Sequence, residues 1–229
     1  MIDVALKSND LRKARVTVVI DVLRATSTIA QALEGGYGRV LCAATLDHGR
    51  SLRSPGRVLA GEHRCLPPED FDLGNSPAGV ATAGGEELVL CTTNGAPAIV
   101  AAAAAAGEVL LGSLLNLDAL VARLRTEDRT DDLLLVCSGT NGRLAIEDIY
   151  VAGRIVAELG GELTDAARTA ELVAQATSST SDLFEQSMNG RVLVDVGLAD
   201  DIAWCIRESV LRVVPRVVSA TASVATITA

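Results

Sequence analysis

Short, unbroken apolar runs constrain this chain more than any other feature. They fall within residues 16–21, 39–42, 57–61, 88–91, 109–112 and 133–137. A strand that is apolar on both sides has to be covered on both faces. Helical patterns at 26–33, 96–106 and 117–124 lie between the runs and can do the covering. The expectation is an α/β fold with a mainly parallel or mixed sheet. From residue 146 the texture turns mostly helical, at 146–159, 164–176 and 181–188. Residues 210–214, just before Pro215, read as a late strand. The small-residue tail 219–229 reads as loose or as an edge strand.

No linker divides the 229 residues, so the expectation is a single domain over 1–229, with room for two similar halves on one core. Hydrophobic residues make up 49 % and charged residues 21 %, which excludes a disordered chain. The longest apolar run, 98–106, is far short of a membrane span. No basic stretch leads into an apolar signal segment, so a cytoplasmic location is expected. The net charge of −9 argues against nucleic acid as a partner, because phosphate backbones select basic surfaces. Cys42, Cys65, Cys91, Cys137 and Cys205 form no C-x-x-C pair, and His48 and His63 sit at no zinc spacing to them. They read as buried, reduced thiols. For association, a homodimer is the default expectation.

The residues expected just beyond the apolar runs carry the chemistry, since open α/β sheets bind ligands at the carboxyl ends of their strands. After the first run come Asp21, Arg24, Thr26 and Ser27; Glu62 follows the third. Thr92, Thr93, Asn94 and Gly95 follow the fourth. Ser138, Gly139, Thr140, Asn141, Gly142 and Arg143 follow the last, with Glu147 and Asp148 behind them. Asn-Gly turns and hydroxyls at helix starts present backbone N–H groups to anions. The arginines suit oxyanions, and the carboxylates are hard donors suited to Mg²⁺. Together they suggest metal-assisted phosphoryl chemistry on a small anionic substrate. Plainer readings stand beside this one. Asp21, Thr26 and Ser27 could be helix caps, Glu62 a solvated acid, and the Asn-Gly pairs ordinary turns. Cys137 and Arg143 also form a C-x5-R spacing, the loop of a thiolate phosphatase, although a buried cysteine and a helix-start arginine meet it equally well. Neither G-x-x-x-x-G-K-[ST] nor G-x-G-x-x-G occurs.

Two further patterns stand out. Residues 61–79 hold Pro67, Pro68 and Pro77 in a stretch too long to be a plain connection, which points to a functional or mobile loop. The segments 88–99 and 134–146 resemble one another, each running from an apolar strand through Cys and Ser/Thr to Asn-Gly and a helix.

The motifs VVIDVLRATSTI at 18–29, AGE at 60–62, FDLGNSP at 71–77, TTNG at 92–95 and CSGTNGR at 137–143, with Glu147 and Asp148, resemble the 2-phosphosulfolactate phosphatase family. The segments AG at 152–153 and LADDIAWC at 198–205 extend the resemblance over nearly the whole chain. Two departures are a shorter stretch before Arg15 and an alanine, Ala96, where a threonine is usual. The resemblance implies a three-layer α/β/α fold and a Mg²⁺-dependent phosphatase. The family reaction turns 2-phosphosulfolactate and water into 3-sulfolactate and phosphate, in coenzyme M biosynthesis. For such a reaction these residues are expected to divide the work, Asp21 and Glu62 holding Mg²⁺ with Glu147 or Asp148 in support. Arg24, Thr26 and Ser27 take the phosphate, and the turns at 92–95 and 138–143 take the other anionic groups. Asn75 and Ser76 lie on the long loop and are expected to close over the site. The readings from other classes are a cysteine phosphatase built on Cys137 and Arg143, and a non-catalytic sensor of a phosphorylated metabolite.

Overall fold

A computed structural model describes residues 1–105, 107–126 and 132–229. Its elements run β1 (Ile2–Ala5), β2 (Val16–Ile20), α1 (Ala25–Glu34), β3 (Arg39–Ala43), α2 (Leu46–Ser51), β4 (Arg57–Gly61), β5 (Leu73–Gly74) and α3 (Pro77–Ala83). Then come β6 (Glu87–Cys91), α4 (Gly95–Ala105), β7 (Glu108–Gly112), α5 (Leu117–Arg125), β8 (Leu133–Cys137) and α6 (Ile146–Leu159). The chain ends with α7 (Asp165–Ala176), α8 (Thr180–Gln186), α9 (Met188–Asp195), α10 (Ala199–Cys205), β9 (Arg216–Ala220) and β10 (Val224–Thr228). The apolar runs are strands, as expected. The expected end of the fourth helix at Ala106 lies outside the described residues. Among the described residues no helix is long and apolar enough to cross a membrane.

The strands form one mixed sheet, in the order β1-β8-β2-β7-β9-β10-β3-β6-β4-β5. Helices cover both faces, which bears out the α/β expectation. Strand β2 shows why both must be covered. Val16, Val18 and Ile20 face a core shared with Leu120 of α5 and Ile155 of α6. Val19 points the other way, into a core with Ile29 of α1 and Ile99 of α4. Beyond β10, α2 covers the far face of β3, β4 and β6 over Leu41, Leu59 and Val89.

The tail departs most from expectation. It is neither loose nor an edge: β9 and β10 form an antiparallel hairpin in the middle of the sheet, pairing with β7 on one side and β3 on the other. Ala225 and Ile227 alternate inward and are fully buried, which a peripheral strand does not require. Residues 210–214 are not a strand. Their N–H groups go instead to Leu115 O, from Leu211, and to the Glu34 carboxylate, from Arg212 and Val213. The helix expected at 181–188 is two helices broken at Ser187, whose hydroxyl caps α9 by accepting from Gly190 N–H at 2.9 Å. The stretch 61–79 is ordered by β5 and by the start of α3.

The inserted hairpin also sets strand direction. Strands β1, β8, β2 and β7 are parallel to one another, as are β3, β6, β4 and β5. The antiparallel steps through β9 and β10 leave these two blocks opposed. A flat sheet would hold their carboxyl ends apart. The ends of both blocks nonetheless line one cleft, and the twist that sheets accumulate from strand to strand is what makes such a meeting possible.

Candidate active site

The cleft has a volume of about 440 Å³. Asp21 reaches it from the end of β2 and Glu62 from the end of β4. Thr92, Thr93 and Asn94 come from the end of β6, and Thr140 and Asn141 from beyond β8. The long loop adds Asn75, and α9 adds Met188, Asn189 and Val192.

Asp21 is fixed by the helix that follows it. Its Oδ1 accepts from Ala25 N–H at 3.0 Å. Its other oxygen faces the start of α4, where a Cβ on Gly95 would lie 2.5 Å from Oδ2. Only glycine lets α4 begin that close. Burial pushes the Asp21 carboxyl up to about 7, and the charges of Glu62 and Glu147 add to the rise. Glu62 ties two segments together: Oε1 accepts from Thr93 N–H at 2.6 Å and Oε2 from Cys65 N–H at 2.9 Å. The two similar Asn-Gly turns meet here, with Asn141 N–H donating to Asn94 Oδ1 at 2.9 Å.

Arg24 lines the cleft but is only 3 % exposed. One terminal nitrogen lies 2.5 Å from Asp201 Oδ2 of α10, and the other donates to Cys65 O at 2.8 Å. The other oxygen of Asp201 accepts from Ser76 Oγ at 2.6 Å. Asn189 donates to Leu23 O and accepts from Cys65 Sγ. The C-terminal helices thus clamp the first turn and the long loop onto one another.

Several residues singled out by sequence do not line the cleft. The Thr26 hydroxyl lies 2.8 Å from Gly112 O and 2.9 Å from Asp21 O, and Ser27 donates to Val22 O. Both sit in the first turn of α1 facing the strand ends below. Ser76 caps α3, accepting from Gly79 N–H. Gly139 and Gly142 have φ of 71° and 73°, which their turn requires, and Arg143 is exposed beyond it. Ser138 is buried against β2, its N–H on Ile20 O and its hydroxyl without a partner among the described residues. Glu147 and Asp148 are buried in the first turn of α6. Asp148 accepts from Val22 N–H and Gly139 N–H, one on each oxygen, and so braces two turns. Burial raises both carboxyls, that of Asp148 well above the ordinary range, with Asp21 and Glu147 adding to it. Glu147 Oε2 and Asn75 Oδ1 have no partner among the described residues.

The donor chemistry fits a hard divalent cation. Among the described residues no three acidic, histidine or cysteine side chains surround one point. Mg²⁺ does not need such a cage, because it is commonly held by one or two carboxylates with waters and substrate phosphate. Asp21 and Glu62 supply that number in the cleft, and the charge of Glu62, which adds to the burial that raises Asp21, is what a cation relieves. The C-x5-R spacing does not form a thiolate loop. Cys137 is fully buried, burial pushes its thiol well up, and Arg143 does not line the cleft.

Sequence reasoning missed His63, Arg64 and Cys65, which follow Glu62 directly and were within its reach. It also missed Met188, Asn189 and Val192, for which the helical pattern of α9 carried no signal.

A family model described as 2-phosphosulpholactate phosphatase matches residues 3–220. The chain is 36 % identical over 223 residues to a "Probable 2-phosphosulfolactate phosphatase" of Thermotoga petrophila, covering 96 % of each. Proteins of the same description from Thermus thermophilus and Clostridium acetobutylicum are 38 % and 31 % identical. They cover 87 % and 94 % of this chain, and 86 % and 96 % of their own length.

Proposed function

The chain belongs to the 2-phosphosulpholactate phosphatase family, and from that premise we propose that it hydrolyses 2-phosphosulfolactate to 3-sulfolactate and phosphate with Mg²⁺, in the cleft between the two strand blocks. Where an organism makes coenzyme M, this is a step of that biosynthesis in the cytoplasm; elsewhere a related small phosphomonoester takes the substrate's place.

The observation that carries the reading is the meeting of Asp21 and Glu62 in one cleft with the turns at 92–94 and 140–141. These two carboxylates would hold the metal. Bound there, Mg²⁺ supplies charge neutralisation at the phosphoryl oxygens and activates water. Arg24, with two of its N–H groups committed to Asp201 and Cys65, offers its remaining donors to the phosphate. Thr92, Thr93 and Asn141 supply polar groups for the rest of the substrate. Asn75, 3 % exposed and with Oδ1 unpartnered among the described residues, is an acceptor set to orient water. In the reaction water forms a new P–O bond, the ester P–O bond breaks, and the departing oxygen takes up a proton.

The test is phosphate release from 2-phosphosulfolactate with Mg²⁺ and with EDTA, beside p-nitrophenyl phosphate. The reading expects Mg²⁺-dependent release that favours phosphosulfolactate. Release that persists in EDTA contradicts the metal's role, and release from the aryl ester alone contradicts the substrate.

A further inference from the structure

Resting on the phosphatase reading, we propose that Arg64 reads a second anionic group of the substrate, a sulfonate or a carboxylate, and so sets the enzyme's preference among phosphomonoesters.

Arg64 sits on a turn built for holding something still. His63 N–H donates to Leu66 O at 2.9 Å and Leu66 N–H to His63 O at 3.2 Å, closing a two-residue hairpin. Its two central residues, Arg64 and Cys65, have φ of 53° and 68°. Both therefore occupy the left-handed region that favours glycine and asparagine, an unfavourable setting for an arginine whose only task is to make a turn. The turn is pinned at Cys65. Its N–H donates to Glu62, its carbonyl accepts from Arg24, and its thiol donates to Asn189. The apex is fixed from three sides while the Arg64 side chain lines the cleft with no ion pair or side-chain hydrogen bond among the described residues.

Charge balance gives that free guanidinium its role. Two arginines line the cleft. Arg24 is matched by Asp201 within a buried pair. The two cleft carboxylates, Asp21 and Glu62, match a divalent cation. Arg64 is then the positive charge left for the substrate itself. With the phosphate on the remaining donors of Arg24, any further acid group of the substrate would still need a cation, and a guanidinium fork meets sulfonate or carboxylate oxygens two at a time.

The test compares kcat/KM for 2-phosphosulfolactate and for p-nitrophenyl phosphate, which has no second acid group, in the unaltered enzyme, Arg64→Asn and Arg64→Lys. Asparagine tolerates the left-handed turn and removes the charge. A ratio of two substrates on one preparation also cancels any loss of folded protein. The expected result is a preference for phosphosulfolactate that falls about tenfold in Arg64→Asn, mostly through KM, with Arg64→Lys in between. A preference that survives in Arg64→Asn, or no preference in the unaltered enzyme, overturns the role of Arg64 while leaving a phosphatase. Turnover of neither ester overturns the phosphatase reading, and this inference with it.

Discussion

Asp21 is held at one oxygen by Ala25 N–H and crowded at the other by the start of α4, so its carboxylate has one place to be. An amide of the same shape keeps the fold but loses the negative charge and half the acceptor capacity. Asp21→Asn is therefore expected to fold and to lose about a hundredfold or more of Mg²⁺-dependent kcat/KM, read by phosphate release. Asp3, far from the cleft, shows the opposite logic. Burial works against its charge, yet hydrogen bonds from Thr164 and Arg12 outweigh it and hold its carboxyl below the usual range. A depressed carboxylate contributes stability above its unfolded pKa and loses it as pH falls through its folded value. Asp3→Asn should be less stable than the parent by about 1 kcal/mol at pH 7 in urea titration, and the gap should shrink as the pH approaches 3. At this scale the sequence was most informative about strand ends. Asp21, Glu62, Thr92 and Asn94 were legible because each follows an apolar run. Thr26 and Ser27 were not, because whether a helix-start hydroxyl faces a ligand or a backbone carbonyl depends on the helix's tilt over the sheet.

At the scale of elements, helices α6, α7 and α10 matter to a cleft that they do not line. Helices α6 and α7 touch where a Cβ on Gly153 would fall 2.0 Å from Ala170 O. Gly153→Ala should force them apart and cost about 1–3 kcal/mol, seen as a lower midpoint in thermal unfolding. Helix α10 contributes Asp201, 4 % exposed, to the only ion pair among the described residues in which both side chains are nearly fully buried. Removing its charge leaves Arg24 buried and unmatched. Asp201→Asn should destabilise the fold by about 3–5 kcal/mol in the same measurement. Helix periodicity located 146–159 in full, yet it could not separate α8 from α9. Ser187 breaks that run by capping α9 with its side chain, and a serine inside an amphipathic pattern does not announce which way it bonds.

The whole molecule depends on its last strands. Apolar runs revealed the other core strands because both their faces are buried. Residues 216–228 mix small, polar and branched apolar groups with no continuous apolar run, and their place between β7 and β3 rests on pairing with strands more than a hundred residues away. Such pairing leaves no local mark. Deleting residues 216–229 opens two central sheet edges and uncovers the partners of Ala225 and Ile227, so the shortened chain should be insoluble on expression. The same hairpin opposes the two strand blocks whose ends build the cleft, so the catalytic proposal is a claim about the whole sheet. Its most direct test measures phosphate release from 2-phosphosulfolactate by Cys137→Ser and Asp21→Asn side by side, with and without Mg²⁺. The account predicts Mg²⁺-dependent turnover close to the parent's in Cys137→Ser and its loss in Asp21→Asn. Turnover that survives in Asp21→Asn and disappears in Cys137→Ser would contradict it.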